Sequence, residues 1–129
     1  MATIELTTDN FEQTVTGNDI VLVDFWAEWC GPCRGFAPVF EKAAQDNGDI
    51  VFGKVDTEAQ QDLAAAFGIM SIPTLAVFRE QVLVFMQPGA LPAPVLDDLI
   101  GQVRALDMDE VRKTIAEHDH EHDHSGHAH

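Results

Sequence analysis

The order of hydrophobic segments predicts an α/β domain: one mixed β-sheet with helices on both faces. Three observations carry this. Residues 20–26, Ile-Val-Leu-Val-Asp-Phe-Trp, form a nearly unbroken apolar run of the kind buried on both sides of a sheet. Strand-like and helix-like segments then alternate as far as Phe67. Finally, the strand-like segments 74–78 and 82–87 are three residues apart, which predicts an antiparallel hairpin.

The elements follow in order. Residues 3–6 read as a short extended segment. Asp9 with Glu12 resembles a capping box and predicts a helix over 10–15. After the strand at 20–26, residues 33–47 have helical periodicity, with Phe36, Val39, Phe40 and Ala43 on one face. Pro38 lies inside this helix and is expected to kink it, and Gly48 ends it. Residues 50–55 read as a second central strand. Thr57 with Gln60 predicts another capped helix, to 67, closed by Gly68. Residues 94–106 form a last amphipathic helix, with its stripe at Val95, Leu96, Leu99, Ile100 and Val103. Beyond Leu106 the stripe changes phase: Met108, Val111 and Ile115 mark a new face, and Asp107 with Glu110 suits a short additional helix. The chain thus divides into a domain at 1–106, a short helical extension at 107–117 and a low-complexity tail at 118–129.

Composition narrows the function classes. A chain of 129 residues, 46% hydrophobic, suits one domain with a real core. Its net charge of −15 disfavours nucleic acid and anionic membrane surfaces. The first residues, Met-Ala-Thr-Ile-Glu, lack the basic and apolar regions of a signal peptide, and the apolar runs are too short to cross a membrane. The expectation is a cytoplasmic protein that acts as a monomer.

The stretch EWCGPCR, residues 28–34, holds both cysteines of the chain. A staple, half a zinc site and a redox pair are the open readings. A two-residue loop restricts the unfolded chain little, and cytosolic thiols are held reduced, which weakens the staple. Structural zinc needs four ligands and there is no second pair, although the histidine-rich tail could supply the rest. The redox reading has a physical logic. Cys30 falls at a helix N-terminus, where unpaired N–H groups and the dipole favour thiolate, the attacking species. Cys30 is expected to be the exposed nucleophile. Cys33, one turn further on, is expected to be more buried and protonated until it attacks a mixed disulfide on Cys30. Gly31 and Pro32 keep the turn tight, and proline there sacrifices no helical hydrogen bond.

Residues 23–38, VDFWAEWCGPCRGFAP, resemble the active-site segment of the thioredoxin family. Residues 68–78, GIMSIPTLAVF, and 88–91, PGAL, resemble two further loops of that family, in matching order over residues 1–106. The resemblance implies a thioredoxin fold and a protein-disulfide reductase. Asp24 matches the family's buried acid, which accepts and returns the Cys33 proton. Lys54 matches a lysine that tunes it. Pro73 matches a proline preceded by a cis bond, here Ile72–Pro73, beside the cysteines. Trp29, Gly31, Pro32, Ile72, Pro73, Gly89 and Ala90 would form the substrate-docking surface, and Trp26 and Pro38 structural positions beneath it. The resemblance also implies a thioredoxin reductase-type electron donor, disulfide-containing protein substrates and no cofactor beyond the redox disulfide. Four features depart from the family pattern: Arg34 replaces a common lysine, Arg79-Glu80-Gln81 replaces a glycine turn, Pro92 replaces a capping serine, and Pro88 stands beside Gly89.

The six histidines, His118, His120, His122, His124, His127 and His129, all lie in the tail, interleaved with acids. Imidazole with carboxylate suits zinc, nickel or copper(II). Alternate spacing puts the rings on one side of an extended chain, and 118/122 and 120/124 are one turn apart on a helix. A second functional reading is therefore a thioredoxin-like scaffold that binds or senses metal through this tail.

Overall fold

The computed structural model describes residues 2–127, with side chains described as far as His118. Five strands form one mixed sheet in the order β1-β3-β2-β4-β5. They are β1 (Thr3–Glu5), β2 (Ile20–Trp26), β3 (Val51–Asp56), β4 (Thr74–Arg79) and β5 (Val82–Pro88). β1, β3 and β2 run parallel; β4 and β5 are antiparallel additions. The helices are α1 (Phe11–Thr16), α2 (Gly31–Asp46), α3 (Gln61–Ala66), α4 (Ala93–Ala105) and α5 (Met108–His127). This is the thioredoxin fold expected from the sequence, with helices on both faces.

Central strand β2 shows how the sequence directs its layers. Alternate side chains point to opposite faces. Ile20 and Leu22 pack with Phe36 and Phe40 of α2 and with Leu96, Ile100 and Val103 of α4. Val21, Val23 and Phe25 face the other way, toward Phe11 and Val15 of α1 and Leu63 of α3. Just past α3, Phe67 anchors this second layer, its ring 5.3, 5.6 and 5.9 Å from those of Phe11, Phe25 and Phe78. On the first face Phe40 meets Phe52 edge-on at 5.2 Å. Truncating a fully buried phenylalanine of this kind costs about 3–5 kcal/mol.

Two predicted caps do not form. Asp9 does not cap α1. Asn10 stands at the cap position, but its amide accepts the Thr7 N–H (2.7 Å) and donates to the Glu5 carbonyl (3.0 Å), closing the turn after β1. Thr57 and Gln60 do not cap α3 either. The Thr57 hydroxyl donates to the Trp26 carbonyl (3.0 Å), and the Gln60 side chain accepts from the Thr8 N–H (3.1 Å). Both side chains find partners far away in the chain rather than on their own helix. At α5 the Asp107 carboxylate does accept the N–H groups of Asp109 and Glu110 (3.1 and 3.2 Å).

α5 runs on to His127, beyond the short helix expected over 107–117. It is seated by buried Met108 and by Arg112, which reaches Glu80 at 2.6 Å. The β4–β5 turn has no glycine, yet Glu80 and Gln81 have φ of 50° and 72°. The Glu80 N–H donates to the Asp19 carbonyl (2.7 Å). Arg79, beside it, donates to the carbonyls of Val103, Arg104 and Leu106 (2.7, 3.2 and 3.0 Å), closing the end of α4. Pro88 pairs with Thr74 at the end of edge strand β5, a position that tolerates proline. Pro92 is the N-cap residue of α4. Among the described residues no helix is long and apolar enough to cross a membrane.

Candidate active site

The parallel strand β2 delivers the chain to the start of α2, and the two cysteines lie at that junction. Cys30 is the N-cap of α2, with extended backbone, and Pro32 occupies the first turn. Its sulfur accepts the Cys33 N–H at 3.2 Å, so the thiol position is fed by the unpaired donors of the helix N-terminus. Cys30 and Cys33 are joined in a disulfide, their Cα atoms 5.3 Å apart. Here one expectation is corrected. Cys30 is not exposed: both cysteines are 3% accessible, because Ala27, Trp26 and Ile72 close over them. The two differ in what they face. Cys30 lines an open cavity of about 490 Å³, and Cys33 does not.

The opposite wall of the cavity is the loop before β4. The Ile72–Pro73 peptide is cis, and the Ile72 carbonyl oxygen stands 3.7 Å from the Cys30 sulfur. Trp29, 67% exposed, forms a second wall with Gly31 and Pro32, and its indole N–H donates to the Glu58 carboxylate at 2.6 Å. Gly89 and Ala90 do not line the cavity. Gly89, with φ of 112°, donates its N–H to the Pro73 carbonyl at 2.7 Å and so supports the cis-proline loop from its far side.

Several lining residues escaped sequence reasoning. Ala64, Ile69 and Met70 come from α3 and the segment after it. Gly68, at φ of 63°, turns the chain at the end of α3 and brings Ile69 and Met70 to the rim. Apolar residues placed in a loop directly before Ile72–Pro73 were the available signal, since a solvated loop has no need of them.

Asp24 lies on the β2 face that carries Ile20 and Leu22, the face covered by α2. It is fully buried, and neither carboxylate oxygen has a hydrogen-bond partner among the described residues. Burial pushes its pKa from 3.8 up to about 7, against the smaller opposing pull of the Lys54 charge. Lys54 is its register partner on β3 and sits 4.8 Å over the Trp26 ring. A neutral-range carboxyl on the sheet face covered by α2, the helix that opens on the cysteine pair, has the chemistry of a proton-transfer group. Of the histidines, His118 alone has a described side chain. His118 is exposed, the other histidine side chains and His129 lie outside the described residues, and no metal-holding cluster occurs among the described residues.

A disulfide that borders an open cavity is placed for exchange with a partner, and the protein is a thiol–disulfide oxidoreductase. The family model described as Thioredoxin matches residues 2–102, and the chain belongs to the thioredoxin family. It is 70% identical over 116 residues to the Streptomyces coelicolor protein named "Putative thioredoxin 2", covering 90% of this chain and 87% of that one. It is 39% identical to the thioredoxin of Bacillus subtilis, over 79% of this chain and 98% of the other. Among solved structures, a mutant thioredoxin from Halobacterium salinarum superposes with a TM-score of 0.75 at 33% identity, covering 81% of this chain and 94% of that one.

Proposed function

We propose that the protein works in the reducing direction, taking electrons from a thioredoxin reductase-type donor and passing them to protein disulfides in the cytoplasm, as a monomer. The observation that carries the proposal is the asymmetry of the pair: Cys30 borders the cavity beside the Ile72 carbonyl, and Cys33 does not line it. In the dithiol form the Cys30 thiolate attacks one sulfur of the substrate disulfide, and the other sulfur leaves as thiolate. Asp24 then accepts the Cys33 proton. The Cys33 thiolate attacks Cys30, which releases the second substrate sulfur and forms the Cys30–Cys33 disulfide. Lys54 keeps the charged form of Asp24 within reach of neutral pH. Trp29, Gly31, Pro32 and Ile72 offer the apolar docking wall. Backbone groups at Ile72 and Pro73 suit pairing with an extended substrate segment, with Gly89 and Ala90 supporting that loop. The redox disulfide is the only prosthetic chemistry this route needs.

The test is disulfide reduction with insulin as substrate. Cys30→Ser is expected to be inactive and Cys33→Ser to accumulate a mixed disulfide through Cys30. Activity surviving in Cys30→Ser would refute these roles. An equilibrium with glutathione that puts the potential near about −180 mV would refute the reducing direction.

The tail supports a second reading, a metal-binding appendage at His118, His120, His122, His124, His127 and His129. The helical backbone recorded through His127 favours it, since positions 118/122 and 120/124 then lie one turn apart. Zinc titration of the full chain against a chain ending at residue 117 tests this: equal affinity for both would dismiss it.

A further inference from the structure

Met70 is the most exposed large apolar side chain of the described residues, 97% accessible, and it lines the same cavity as Cys30. In the disulfide state both cysteines are 3% accessible and hold no thiolate, so the sulfur presented to solvent at this rim is the Met70 thioether. The other methionines described are less open: Met86 is 44% exposed and Met108 only 5%. Thioether oxidation follows exposure, and the sulfoxide it yields is polar where the methionine was apolar.

We propose that Met70 is an oxidation site at which peroxide turns off substrate docking once the cysteine pair has become a disulfide. A lone pair on the Met70 sulfur attacks one peroxide oxygen and the O–O bond breaks. An S–O bond forms, and the displaced hydroxide takes the proton from the transferred oxygen and leaves as water. Sulfur loses two electrons and the peroxide gains them. In the dithiol form the Cys30 thiolate is the faster nucleophile and shields Met70, so the modification registers peroxide that persists after the thiols are spent. The sulfoxide must shed water for an apolar partner to dock, which weakens docking and leaves sulfur exchange between Cys30 and Cys33 untouched. The inference rests on the docking role given above to the cavity.

The experiment treats the disulfide form of the full chain with hydrogen peroxide, removes the peroxide with catalase, reduces the pair with dithiothreitol and measures insulin reduction. Trypsin separates the methionines: Met70 falls in the peptide 55–79, Met86 in 80–104, Met108 in 105–112 and Met1 in 1–34. Oxygen is expected on 55–79 several-fold faster than on 80–104. KM for insulin is expected to rise about fivefold with kcat unchanged, the loss of roughly one apolar contact. Met70→Leu, compared with its own untreated rate, is expected to keep that rate after peroxide, whereas Met86→Leu remains as sensitive as wild type. The proposal is overturned if peptide 80–104 or 1–34 is oxidised first, if Met70 oxidation leaves KM unmoved, or if treated Met70→Leu loses activity as wild type does. Untreated wild type that fails to reduce insulin would instead refute the docking and reductase reading.

Discussion

The indole N–H of Trp29 donates a 2.6 Å hydrogen bond to the carboxylate of Glu58, tying the cavity wall after β2 to the turn after β3. A hydrogen bond to a charged acceptor contributes about 1.5–3 kcal/mol where it is shielded and less at an exposed rim such as this one. Its effect is therefore on where the ring stands, not on whether the domain folds.

Glu58→Ala is accordingly expected to leave unfolding by urea nearly unchanged and to raise KM for a protein disulfide by about threefold to tenfold at constant kcat. Glu58→Gln retains an acceptor oxygen and should restore most of the loss. Steady-state reduction of insulin by the two variants decides it; equal KM for wild type and Glu58→Ala would show that the bond does not position Trp29.

Asp24 gives the stability a pH dependence of definite sign. Its pKa is raised from 3.8 to about 7 by burial, so between these values the folded chain holds a proton that the unfolded chain has released. The Asp24 contribution must therefore become less favourable as pH rises from about 4 to 7, and stay level above that. The full change is on the order of 4 kcal/mol. Asp24→Asn cannot ionise. The stability difference between Asp24→Asn and wild type should widen over that window, leaving the variant a few kcal/mol (about 2–4) more stable at pH 8. Urea midpoints from pH 4 to 9 measure this, and a difference independent of pH would contradict the burial argument. On the proton-acceptor role proposed for Asp24, the same variant should also slow release of reduced substrate from the mixed disulfide.

Gln81 occupies a left-handed conformation that costs an L-residue about 1–2 kcal/mol, partly offset here by the contacts of the turn. Its side chain contributes only a long 3.4 Å bond to the Thr16 carbonyl. Gln81→Gly should stabilise the domain by about 0.5–1 kcal/mol, after allowing for the freer unfolded chain. Glu80→Gly should not, because it deletes one of the two carboxylate partners of Arg112. Thermal unfolding of the two variants separates these outcomes.

The apolar run at 20–26 made the sheet legible, and its single acid made Asp24 legible, because an ionisable residue within an otherwise unbroken buried strand is costly unless it has a task. The cis bond at Ile72–Pro73 was legible only through resemblance, since nothing local separates it from a trans proline opening a strand. The caps were misread for the opposite reason. Gln60 bonds Thr8, far back in the chain, and Thr57 bonds Trp26, so local pattern assigned them to their own helix. Cys30 was expected to be exposed because helix N-termini usually are; Ile72 covering it is a long-range contact. Glu58 was invisible for the same reason, as its significance lies in which distant wall it completes, whereas Met70 carried the weak signal of an apolar residue in a loop.

Phe67 stands directly before the turn that carries Ile69, Met70 and Ile72 to the cavity, and its ring is locked among Phe11, Phe25 and Phe78. The wall given a docking role above is thus anchored to the sheet face that carries Val21, Val23 and Phe25. Loss of conformational freedom on capture falls on the incoming chain. With docking as proposed above, disulfides of equal chemical strength should be reduced fastest where their segments are already extended or easily straightened, so that foldedness around a disulfide, and not its redox potential alone, is expected to set the rate.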